Sequence, residues 1–350
     1  MNLRPIHPAF HRSVFLVVLG CLCSVSTGFS LAQNGSDRVA SLGQSATDEK
    51  KTVESLPLSN SSSLPGPVYG EPVDFQWRTV AKAVAPDGQV DNIFITMPIP
   101  DEWPEQSVIK GEEEIPFEVT GAEIRKIRTA PKQFVAALPG LSKGSSAVFS
   151  LTFTVSVRPI APPADTTIYV IPERLDKDLK TWLDDSPGIS HKDSKVRATA
   201  KEIIEGAEND WGKVEKIRDW ISSKIAPSNQ ENADTPITLK TESGTVENRT
   251  RLFVAMCRAV KIPARMVWAH GNDHAEFYLE VADGTGYWFP CHISSSIPLG
   301  ADPKPGVVQQ KGDHFRVPEK KEELNFVNGF ASAKGRFRPA IGFAEGLVGQ

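Results

Sequence analysis

The chain has 350 residues, of which 39 are Lys or Arg, 43 are Asp or Glu and 40 % are hydrophobic. That length suits two ordinary domains with a sizeable core, and it excludes a wholly disordered chain. A formal charge of -4 gives no electrostatic case for nucleic acid or an anionic membrane surface. Four cysteines (Cys21, Cys23, Cys257 and Cys291) exclude a disulfide-framework scaffold and, once a leader is removed, a four-cysteine zinc ribbon.

The chain opens with the three parts of an export signal. Arg4 and Arg12 form a positive region, Val14 to Leu19 is apolar, and Ser30-Leu31-Ala32 puts small residues where a signal peptidase reads. Residues 1–32 are therefore expected to be a signal peptide, and the mature protein to be periplasmic or extracellular. Lipid anchoring at Cys21, after Val18-Leu19-Gly20, is the less favoured alternative because leucine is not the usual residue there. Residues 33–72 are rich in Ser, Asn, Gly and Pro and read as a flexible linker.

The next stretch is patterned as strands. Phe149, Leu151, Phe153, Val155 and Val157 alternate with Ser150, Thr152, Thr154 and Ser156, which predicts one buried and one polar face. Phe75 to Val84, Asn92 to Met97 and Phe134 to Leu138 are further candidates, with Asp87-Gly88 as a turn. An antiparallel, β-sandwich-like module is expected over 73–160, with a packing or partner-binding role.

Beyond the proline-rich joint Arg158 to Pro163 the period lengthens. Asp193 is placed to cap a helix burying Val196, Ala200 and Ile203, and Asp210 another with Val214, Ile217 and Ile221 on one face. A third helix is expected from about Thr245 to Val260, ended by Ile262-Pro263. Three strands should follow: Arg265 to Ala269, Ala275 to Val281, and Tyr287 to His292 after the turn at Asp283-Gly284-Thr285-Gly286. Helices followed by an antiparallel sheet make this an α+β chain.

Three segments in this order carry a resemblance. They are Leu252 to Val267, which contains Ile262-Pro263-Ala264-Arg265; His274-Ala275 with its strand; and Gly286-Tyr287-Trp288-Phe289-Pro290. Together they resemble the transglutaminase-like superfamily, whose members share a papain-like fold. The resemblance implies a papain-like, transglutaminase-like domain over 161–312, followed by a C-terminal extension over 313–350. It further implies a cysteine at the first turn of a helix, where free N–H groups and the dipole favour the thiolate. A histidine on a neighbouring strand would be the base, and a carboxylate would hold its ring. Such a site attacks glutamine side-chain amides or peptide bonds through a thioester.

Against that pattern His274 stands at the histidine position, Val246 falls at the nucleophile position, and Cys291 falls at the aspartate position. Valine has no nucleophilic atom, and a threonine at Thr245 would need strong activation. The expectation is an exported, catalytically inactive module for binding or structure, with no cofactor and no metal. A protein or peptide is the expected class of ligand, with no nucleic acid partner and no membrane span in the mature chain. The alternatives are a thiol acyltransferase or peptidase with a rearranged His274/Cys291 site, or a metal-dependent hydrolase. For the latter, His270, His274, Cys291 and His292 are ligand types with Asp273 nearby, but neighbours on a strand point to opposite faces. Cys257 is expected in the core of the third helix, roughly 16 Å from its start. Asn248-Arg249-Thr250 matches a glycosylation sequon at a helix start, a poor place for one.

Overall fold

Period-two and period-3.6 patterns become two neighbouring structures in the computed structural model, which describes residues 65–128, 130–293 and 296–349. The expected signal peptide and most of the expected linker lie outside the described residues. Near the start of the described chain, β1 (Val68–Tyr69) pairs antiparallel with β8 (Ile160–Ala161), inside the stretch expected to be linker.

The first half is built from β2 (Val73–Val84), β3 (Val90–Pro98), β4 (Gln106–Glu114), β5 (Gly121–Arg125), β6 (Gln133–Leu141) and β7 (Ser146–Val157). Two further strands come from the far end of the chain, β15 (Phe330–Lys334) and β16 (Ala340–Leu347). They form two antiparallel four-stranded sheets, in the orders β15-β3-β6-β5 and β16-β2-β7-β4. Both sheets bury side chains in one cluster that includes Trp77, Ile95, Phe134, Phe149 and Phe153.

The strands anticipated from the sequence, one by strict alternation and three as further candidates, are the inner ones, β7, β2, β3 and β6. The four outer strands β4, β5, β15 and β16 escaped notice because an edge strand stays largely exposed and need not alternate. The C-terminal tail, expected as a loose extension, instead runs eight residues of β16 along β2 from Ala340↔Val84 to Leu347↔Trp77. Its backbone groups are satisfied by the sheet rather than by solvent.

The second half carries five helices. α1 (Lys177–Thr181) and α4 (Thr235–Thr241) are short. α2 (Ser194–Ile203) is capped by Asp193, as expected. α3 (Asp210–Lys224) is capped one residue earlier, by Asn209, because Asp210 turns its carboxylate to the Ile171 N–H and to Lys213. α5 (Val246–Ala259) starts after the short parallel pair β9 (Ala226–Pro227) and β10 (Ser243–Gly244). The helices cover one face of an antiparallel sheet of β11 (Ala264–Ala269), β12 (His274–Glu280), β13 (Gly286–Cys291) and β14 (Val308–Lys311), in the order β13-β12-β11-β14. Val214, Ile217, Phe253, Met256, Met266, Phe277 and Phe289 share that core. The chain is therefore α+β with mainly antiparallel sheets. Among the described residues, no helix is long and apolar enough to cross a membrane.

Phe253 is fully buried where α5 meets the sheet. Phe253→Ala is expected to cost about 3–5 kcal/mol, measured by denaturant unfolding, through lost transfer energy and the cavity left behind.

Candidate functional site

The start of α5 is set by a local hydrogen-bonding unit. Thr245 is the N-cap: its Oγ1 accepts from the Asn248 N–H at 3.1 Å, and the Asn248 side chain accepts from the Thr245 N–H at 3.3 Å. This is a capping box with Asn in the reciprocating position. Asn248 also holds the incoming loop, accepting from the Asn232 N–H and donating to the Asn232 carbonyl, both at 2.9 Å. The sequon asparagine is thus buried and fully engaged. Gly244 admits this approach, since a Cβ there would come within 2.8 Å of the Asn248 Cβ. Val246 follows as the first helical residue and is 61 % exposed. The helix start is therefore presented to solvent with an isopropyl group on it.

His274 lies on β12, whose side chains divide by strict alternation. Ala275, Phe277 and Leu279 pack into the core with α5. His274, Glu276 and Tyr278 take the opposite face. On β13 the partners are Ala275↔Cys291, Phe277↔Phe289 and Tyr278↔Trp288. Cys291 is consequently across from Ala275 and inside the helix-side core, not beside His274. Cys291 was expected beside His274; the neighbour there is His292, with ring centroids 4.5 Å apart. The clue was present in the sequence, because Phe289 and Cys291 share one face of an alternating strand and His292 must take the other.

His292, expected as the last residue of a strand, is 7 % exposed, and its Nε2 lies 3.2 Å from Oδ1 of Asp302. Asp302 was not singled out in the sequence; it reaches the cluster through backbone pairing, exchanging two hydrogen bonds of 2.9 Å with Ile160. Asn272 bridges the group, with its carbonyl 2.8 Å from His274 Nδ1 and its Nδ2 donating to Asp302 Oδ1 at 3.0 Å. Burial, reinforced by His292 alongside, pushes the His274 imidazole down to about 4. Burial raises the Asp302 carboxyl. The hydrogen bond to His292 and the two nearby imidazoles outweigh this and hold it below the usual carboxylate range.

The same face carries a buried ionic layer. Glu276 pairs with Arg265 at 2.7 Å and with Lys311, and Lys311 also reaches Glu105 from the first half. The Arg265 guanidinium lies 4.1 Å from the Trp288 ring centroid, with Trp182 and Trp103 at 5.7 and 5.8 Å. Burial raises the Glu276 carboxyl, but Lys311 and Arg265 together pull it below the ordinary range. This face therefore holds a neutralised, aromatic-walled charge cluster.

The remaining candidates are dispersed. Cys257 and Cys291 are both fully buried free thiols, and burial pushes both well above the ordinary thiol range. His270 packs edge-on against Trp77 at 5.2 Å, and Asp273 accepts from the Ala269 N–H.

Residues 197–293 match the model for the Transglutaminase-like superfamily. This segment is a transglutaminase-like domain. Among solved structures, "a Putative Cysteine Protease" from Cytophaga hutchinsonii aligns over 81 % of this chain and 93 % of its own, with 18 % identity and a TM-score of 0.52. A second, "a putative protease" from Parabacteroides distasonis, aligns over 63 % of this chain and 43 % of its own, at 15 % identity and a TM-score of 0.25, too low to carry weight. No curated protein matches. The first likeness is one of fold alone.

The His274 shift sets a pH response for the transglutaminase-like domain. Above about 6.5 both the folded and unfolded states hold this imidazole neutral. As pH falls from there to about 4, the unfolded chain binds a proton that the folded chain refuses, so stability drops across that window by about 3 kcal/mol. Urea unfolding of His274→Asn between pH 7.5 and 4.5 should show a correspondingly shallower loss than the unaltered chain.

Proposed function

We propose that this is an exported protein whose transglutaminase-like domain has lost thioester chemistry and serves as a binding or structural module. The observation that carries this reading is Val246, an exposed valine as the first residue of the helix where the fold would present its nucleophile. Thr245 beside it is committed to the capping box, so its hydroxyl is not a free substitute. Neither buried cysteine offers a thiolate, and Cys291 is on the wrong face of the sheet to be activated by His274. His274 Nδ1 meets the Asn272 carbonyl and not a carboxylate, and the Asp302 carboxylate of the same cluster is bonded to His292, so no carboxylate orients the His274 ring directly. Export rests on residues 1–32 and on their three-part pattern.

A protein or peptide is the ligand class that the amide-binding ancestry of the fold favours. The net charge of -4 supports no nucleic acid partner. The activity test is direct: incubation with a glutamine-donor peptide and an amine probe should give no incorporation above a denatured control. Robust crosslinking by the unaltered chain overturns the proposal.

Val246→Cys should create a thiol that alkylates far faster than Cys257 and Cys291, because it is exposed at a helix N-terminus. It should still fail to turn over amides, because His274 Nδ1 is held by the Asn272 carbonyl and not by a carboxylate. Mass spectrometry of the alkylated peptides, run beside the crosslinking assay, checks both parts.

A further inference from the structure

Three buried side chains from separate segments meet at one end of the β12–β13 hairpin. His274 opens β12, His292 directly follows β13, and Asp302 precedes β14. They are 4 %, 7 % and 5 % exposed, and one donor atom from each lies within 4.8 Å of the others. We propose that His274, His292 and Asp302 bind one divalent transition-metal ion of the zinc class.

Two imidazole nitrogens and one carboxylate oxygen are a donor set suited to such an ion, with water completing the coordination. The surrounding hydrogen bonds orient these donors. A carbonyl can only accept, so the 2.8 Å contact between His274 Nδ1 and the Asn272 carbonyl places the proton on Nδ1 and leaves the Nε2 lone pair free. Asn272 also donates to Asp302 at 3.0 Å, so one residue positions two of the three ligands. The His292 Nε2 to Asp302 Oδ1 contact of 3.2 Å is already close to the separation of two donors on one ion, about 3.4 Å for bonds of about 2.0–2.1 Å. The donor atoms lie within 4.8 Å of one another, so binding one ion requires the widest pair to draw in by up to about 1.4 Å.

The cluster lies just below the surface. Gly271, Pro303 and Lys304 are exposed around it, and Asn272 is half-buried. An ion here would tie the open end of the hairpin to Asp302, which is bonded to Ile160 where the first half ends. It would act as a clasp between the two parts of the fold, adding stability by mass action. The site stands on donor geometry, independently of whether the domain turns over amides.

The test uses the untagged chain stripped with chelator, then titrated with zinc chloride by calorimetry and by thermal unfolding. Saturation at one ion per chain is expected, with a Tm that rises with zinc concentration. His292→Ala and Asp302→Asn should weaken binding at least ~100-fold and Asn272→Ala about 10-fold, in line with the loss of a ligand and of an orienting partner. His270→Ala, a nearby histidine outside the cluster, should bind as the unaltered chain does. Unfolding in chelator identifies which variants are folded, and Asp302→Asn decides the matter if His292→Ala is not. Absence of saturable binding by the unaltered chain, or unchanged affinity in folded Asp302→Asn, overturns the proposal.

Discussion

The sheet β13-β12-β11-β14 has an apolar face under the helices and a largely buried polar face opposite, and the candidate site follows from that constraint. A strand sends successive side chains to opposite sides, so each residue on it falls to one face or the other. On the helix side the face is apolar, with Ala264, Met266, Phe277 and Phe289 meeting α3 and α5. On the other side polar groups are buried too, and each must find a partner or remain costly. Arg265, Glu276, Lys311 and Glu105 solve this by pairing among aromatic walls. His274, His292 and Asp302 solve it by clustering around Asn272.

This division separates the two readings that used Cys291, as a rearranged thiol and as a metal ligand, from the arrangement that forms. Cys291 and His292 are neighbours in the chain, yet a single residue decides between an apolar core and a polar cluster. Cys291 packs with Cys257, Phe289 and the helices, where the thiol is held protonated. His292 packs against His274. The start of α5 thus carries an exposed valine, and the ring beside His274 is that of a histidine. The core beneath, and not these groups, supplies the apolar burial that holds the domain together.

The inner strands and the long helices were legible because burial on one face imposes a period. β2 and β7 alternate, β3 and β6 carry dense apolar runs, and α2, α3 and α5 repeat every three to four residues with cap residues at their starts. The outer strands β4, β5, β15 and β16 were not legible, since an edge strand is held by backbone pairing and carries few buried side chains. Asp302 escaped for a related reason. Its position comes from pairing with Ile160, 142 residues earlier in the chain, and no local pattern encodes a contact of that range.

The sequence by itself determined the α+β class, the ordered motifs of the transglutaminase-like domain, and the valine at the helix start. These are local properties of composition, spacing and periodicity. The tertiary structure decided the register that sets His292 beside His274, brought Asp302 to the same cluster, and paired the C-terminal tail with β2. Register and long-range pairing set those outcomes, and a shift of one residue on a strand exchanges one face for the other.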